Sequence, residues 1–153
     1  MKRFTLPLLL ALALILAACA PSQAGIQPAS SSGSGADSPA SLTRSDGQGA
    51  VTVDVTPSNL SNPSDKLEFD VSLNTHSVNL GMNLAALATL TTDTGVTVQA
   101  ASWDAPSGGH HVEGKLVFPA TKDGKSILAG TGKLTLTIIN LDAPSRVFEW
   151  QLK

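Results

Sequence analysis

Residues 51–57 read Val51-Thr52-Val53-Asp54-Val55-Thr56-Pro57, and residues 67–73 repeat the device as Leu67-Glu68-Phe69-Asp70-Val71-Ser72-Leu73. In both runs an apolar side chain alternates with a polar one. Successive side chains of an extended chain point to opposite faces, so each run predicts a strand with one buried and one solvated side. Pro57 cannot donate to a ladder and stops the first run. Asn62-Pro63-Ser64-Asp65 supplies the turn residues between the two.

The same alternation continues outward. A third strand is expected over residues 86–91. Asp93-Thr94-Gly95 then turns the chain into Val96-Thr97-Val98-Gln99-Ala100, the strongest hairpin signal in the chain. A fifth strand is expected over residues 111–118, stopped by Pro119. Lys122-Asp123-Gly124-Lys125 reads as a turn. Leu134, Leu136 and Ile138 mark one face of a sixth strand. Phe148, Trp150 and Leu152 mark one face of a seventh, after the turn Asp142-Ala143-Pro144-Ser145. Seven antiparallel-type strands in about 105 residues predict an all-β, immunoglobulin-like sandwich of two sheets. Residues 79–87 fit neither period well. Leu80, Leu84 and Leu87 have helical spacing, but Gly81, Asn79 and Asn83 interrupt it, and the segment is read as an irregular crossing between the sheets.

The amino-terminal third has a different character. Lys2 and Arg3 precede an apolar run from Leu6 to Ala18. A charged start, a short apolar run and small residues before a cut site make a secretory signal peptide. The run is shorter than the roughly 20 residues needed to span a bilayer. Leu16-Ala17-Ala18-Cys19 resembles the lipobox of bacterial lipoproteins. The resemblance implies cleavage after Ala18 and lipidation of Cys19, with palmitate among the attached chains. More than one acyl chain gives stable anchoring. It also implies a location on the extracytoplasmic side of a bacterial cell membrane or outer membrane. Ala20 follows the cysteine in place of Asp, which by the same resemblance favours the outer membrane where there are two. From Ala20 to Gln48 the chain is dominated by Ser, Gly, Ala and Pro. Such a segment cannot bury enough surface to fold, so a disordered tether reaching roughly 30 Å is expected. The division is therefore a signal peptide at 1–18, a lipidated cysteine and linker at 19–48, and a β-sandwich domain at 49–153.

Composition narrows the function. The chain of 153 residues has ten basic and twelve acidic residues, a net charge of −2. Without residues 1–18 the balance becomes eight against twelve, a net of −4. No basic cluster occurs, which argues against nucleic-acid binding. Cys19 is the sole cysteine, so the folded part has neither a disulfide nor a thiolate metal ligand.

All three histidines fall in two short phrases, Asn74-Thr75-His76-Ser77-Val78 and Trp103-Asp104-Ala105-Pro106-Ser107-Gly108-Gly109-His110-His111-Val112. Gly108-Gly109 permits backbone conformations closed to other residues, as needed for a tight turn or a close approach. Imidazoles suit zinc and copper. If the fifth strand's alternation extends backward, His110 shares the inward face of Val112, Leu116 and Phe118, while His111 faces out. His76 with His110 or His111, completed by Asp104 or Met82, is then a candidate copper or zinc site. The competing reading is that the histidines are structural. No H-E-x-x-H, H-x-x-E-H, C-x-x-C or G-x-S-x-G motif is present. Glu68 and Asp70 share one solvated strand face and read as surface charges. Trp150 reads as core, and Trp103 as a packing lid near the histidine phrase. The functional expectation is a non-enzymatic lipoprotein. Its domain would bind a protein or cell-envelope partner, with metal binding as the alternative.

Overall fold

The structure, a computed structural model, describes residues 42–152. The leader, Cys19 and the linker as far as Ser41 lie outside the described residues. Eleven strands appear among the described residues: β1 (Arg44–Asp46), β2 (Val51–Pro57), β3 (Lys66–Thr75), β4 (Ala88–Thr92), β5 (Thr97–Gln99), β6 (Ser102–Asp104), β7 (His111–Pro119), β8 (Thr121–Lys122), β9 (Lys125–Ser126), β10 (Lys133–Ile139) and β11 (Ser145–Gln151). None of the described helices is long and apolar enough to cross a membrane.

One sheet has the order β1-β2-β3-β7-β6 and the other β11-β10-β4-β5. Every pairing is antiparallel. Within these sheets, β2-β3-β7-β6 reproduces the A-B-E-D order of immunoglobulin domains, and β11-β10-β4-β5 the G-F-C-C′ order. The fold is therefore an immunoglobulin-like sandwich. β1 is an added edge strand, and β8–β9 is a small hairpin between β7 and β10. Asp123 and Gly124, both with positive φ (52° and 75°), make its two-residue turn.

The alternation seen in the sequence is the burial pattern of the strands. Val51, Val53 and Val55 of β2 and Leu67, Phe69, Val71 and Leu73 of β3 are all buried. Leu134, Leu136 and Ile138 meet them from the opposite sheet, in one continuous core. Phe69 joins the sheets: its ring lies 5.7 Å from Phe118 on its own sheet and 5.4 Å from Trp150 on the other. Trp150 is core, and its indole N–H donates to the Leu42 carbonyl at 2.6 Å.

The folded part begins earlier than expected. Arg44-Ser45-Asp46, which by composition belongs to the linker, pairs with β2 as β1. No apolar alternation announces it, because its hold is made by distant polar groups. Arg44 Nε donates to the Glu149 carbonyl, and the buried Arg146 reaches Asp46 and Gln48. The Arg44 contact satisfies one carbonyl on the edge strand β11. The crossing from β3 to β4 is irregular as expected, apart from one 3-10 turn at Leu84–Ala86. There Asn83 Oδ1 accepts from Ala85 N.

Candidate functional site

The fold brings the two histidine phrases together. β3 and β7 are neighbours, and Asn74 stands opposite His111 in the register. Beyond the strands the phrases stay joined. Thr75 N donates to the His110 carbonyl (2.9 Å), Leu80 N to the Gly109 carbonyl (3.0 Å) and Gly108 N to the Leu80 carbonyl (3.3 Å). Asn79 Oδ1 accepts from Gly109 N at 3.2 Å. This close approach needs the two glycines, whose φ angles are +85° and +101°. The buried hydroxyl of Thr75 fixes the other phrase. It donates to the Ala50 carbonyl at 2.8 Å and accepts from Ser77 N and Val78 N.

His111 and Asn74 point to the outer face of the five-stranded sheet. Nδ1 of His111 lies 2.8 Å from Asn74 Oδ1, and Asn74 Nδ2 donates to Ser72 Oγ at 3.1 Å. The His76 ring lies edge-on to His111, with centroids 6.4 Å apart. Both rings are exposed.

Of the candidate ligands, only His76 and His111 are brought together. His110 is exposed and does not share the inward face of Val112. β7 begins at His111, so the strand alternation does not extend back into the Gly-Gly turn. Asp104 on β6 pairs with Lys115, four residues along β7 from His111. At about 3.3 Å per strand residue this puts it more than 10 Å away along the sheet. Met82 is half-buried and packs against the core. Among the described residues, no three His, Cys, Asp or Glu side chains are placed to hold one ion. Trp103 also packs on the core, with its ring over Gly114.

The same outer face continues past His111 as cross-strand rows. Ser45, Asp54, Ser72 and Glu113 form one row, and Thr56, Asp70, Lys115 and Asp104 the next. Between them lies a shallow, open depression of about 540 Å³, with Asp54, Asp70, Glu113 and Lys115 on its rim. Lys115 Nζ pairs with Asp70 at 2.9 Å and with Glu68 at 3.3 Å. Glu68 and Asp70 do share the solvated face, as the strand period required. A hydrogen bond from Ser58 Oγ, offset by partial burial and helped by Lys115, holds the Asp70 carboxyl below the usual carboxylate range. The bond to Asp70, with Glu68 adding to it, raises the Lys115 ammonium above the ordinary lysine value.

Asn74 and Lys115 are the site residues that sequence reading missed. Their signal is register, which places Asn74 opposite His111 and Lys115 opposite Asp70, and register is set only when the strands pair.

No family model matches the chain, and no curated protein matches it. Among solved structures the chain is similar to a DUF4426 family protein from Pseudomonas aeruginosa PAO1. The identity is 12% and the TM-score 0.41, over 70% of this chain and 92% of that one.

Proposed function

We propose that this chain is a non-enzymatic binding module, held outside the cytoplasm by a lipid on Cys19. Its contact surface is the outer face of the five-stranded sheet, with the histidine junction at one end. One observation carries the reading. The two sequence phrases that hold all three histidines are zipped together, so that His76 and His111 stand in solvent at the end of the face that carries an open depression lined by Asp54, Asp70 and Glu113. His111 is oriented by Asn74, whose amide oxygen lies 2.8 Å from Nδ1. The excess of carboxylates over lysine on this face suits a partner with basic groups. The lipid anchor is supported by Leu16-Ala17-Ala18-Cys19.

The test is photo-crosslinking in intact cells. A photoreactive residue is placed in the full-length chain at Glu113 or Thr52 on this face, and at Val147 on the opposite one. Adducts are expected from the first two positions and not from the third. Adducts from Val147 alone, or from all three alike, contradict the assignment. A Cys19→Ser chain is expected to lose both membrane fractionation and the adducts.

A further inference from the structure

We propose that His76 and His111 form a two-imidazole site for a divalent transition-metal ion, with Cu(II) the preferred ion, and that Ser72 and Asn74 preorganise it. The inference stands whether or not the sheet face also binds a macromolecule.

The junction supplies the spacing. Asn74 lies directly across from His111 at the end of the ladder, and His76 follows just past the end of β3, where Thr75 N still bonds the His110 carbonyl. The ring centroids are 6.4 Å apart and nearly perpendicular, at 83°. An ion about 2 Å from one nitrogen of each ring would set the centroids at roughly 4.5–5 Å for adjacent coordination positions, so the rings close by about 1.5 Å on binding. Both side chains are exposed.

The hydrogen bonds then decide which nitrogen is free. Asn74 Nδ2 donates to Ser72 Oγ, which turns the amide oxygen toward His111. A carbonyl oxygen only accepts, so Nδ1 of His111 carries the proton. Nε2 is left with a bare lone pair, directed away from Asn74. Metal-bound histidines almost always donate their other N–H to an outer acceptor, which fixes tautomer and ring orientation. That arrangement is already built here before any ion arrives. It is the reason to read Asn74 as a positioning residue and not as a surface amide.

The donor set points to the ion. Two neutral imidazoles without a thiolate favour Cu(II) over Zn(II) by the Irving–Williams order, and they discriminate against Mg(II) and Ca(II), which prefer oxygen. With no third His, Cys, Asp or Glu in range among the described residues, the remaining positions fall to water or to donors of an incoming molecule. Such a site is open and exchangeable. It suits acquisition and transfer of an ion, in contrast to closed, four-coordinate structural sites.

The experiment uses the full-length chain in detergent micelles, stripped with chelator and titrated calorimetrically with CuCl2, ZnCl2 and MgCl2. A Cys19→Ser chain is run in parallel to remove the thiol. One Cu(II) per chain is expected in both, with weaker Zn(II) binding and none for Mg(II). His76→Ala and His111→Ala should each weaken Cu(II) binding by at least 100-fold. Asn74→Ala should weaken it about 10- to 100-fold while both imidazoles remain, and His110→Ala should leave it unchanged. Electron paramagnetic resonance should show two imidazole nitrogens on Cu(II). Parent-like affinity in His76→Ala or His111→Ala, or loss of binding in His110→Ala, overturns the site. Parent-like affinity in Asn74→Ala overturns the preorganising role.

Discussion

Arg146, whose side chain is fully buried, donates from Nη1 to Asp46 Oδ1 at 2.6 Å across 100 residues of chain. Its remaining donors reach the carbonyls of Leu141, Asp46 and Gln48. No described buried side-chain nitrogen or oxygen is left without a partner. The guanidinium thus fastens β1 to β11, where the chain enters the sandwich. Removing one member of a buried pair leaves an uncompensated charge, at a cost of about 3–5 kcal/mol. Three carbonyl acceptors survive an Asp46→Ala change, so a loss near 3 kcal/mol is expected, the low end of that range. Urea unfolding of the mature chain carrying Cys19→Ser measures it. A loss under 0.5 kcal/mol would show that the pair does not fasten the edge.

Acid should weaken the same region. Burial works against the charge on Asp46, but hydrogen bonds from Gln48 and the attraction of Arg146 outweigh it, and the carboxyl titrates below its ordinary value. Asp70 is held low as well. A carboxylate with a depressed folded pKa contributes stability above its unfolded pKa and loses it as pH falls through the folded one. Stability should therefore be level from neutral pH down to about 5 and fall below about 4. Asp46→Asn should flatten that fall, and an unchanged acid profile in this variant would contradict the assignment.

Gly114 sits at the centre of β7, where a Cβ would lie 2.5 Å from the Asp104 carbonyl oxygen and 2.9 Å from the Trp103 ring. It would also press on Ala105. Overpacking of this kind costs about 1–3 kcal/mol. Gly114→Ala should lower stability by that amount and displace Trp103. The expected signature is a red shift of tryptophan fluorescence relative to the parent, with Trp150 remaining in the core. An unshifted spectrum with full stability would mean that Trp103 does not pack there.

The histidine junction depends on the left-handed backbone at Gly109, with φ of +101°. An L-residue there costs about 1–2 kcal/mol. Gly109→Ala should lose that stability and weaken amide protection at Thr75 and Leu80, whose N–H groups bond the carbonyls of His110 and Gly109. Hydrogen exchange followed by NMR reads both positions. Unchanged protection at both would show that the loops do not need the turn.

The sandwich was legible because its main strands alternate strictly, as Leu67–Leu73 and Leu134–Ile138 do, and because Asp93-Thr94-Gly95 marks its hairpin. Arg44–Asp46 was not legible. It has no apolar stripe and is held by Arg146 and by the Glu149 carbonyl, both near the far end of the chain. Ser102–Asp104 is too short to show a period. The histidine phrases stand out by their composition, but their geometry is not readable from it. His110 does not follow the inward alternation of β7 because the Gly108-Gly109 turn breaks the extended chain before it. Asn74 became visible only through its pairing with His111. Asp104 was set apart from the histidines by the register of β6 on β7.

The proposed anchoring of the sheet face outside the cytoplasm rests on a lipid on Cys19, and intact mass spectrometry of the mature protein reads this directly. The account predicts a chain that starts at residue 19, heavier than its peptide mass by several acyl chains carried on the amino-terminal cysteine. An exported chain that retains residues 1–18, or one that begins at an unmodified Cys19 thiol, would contradict it.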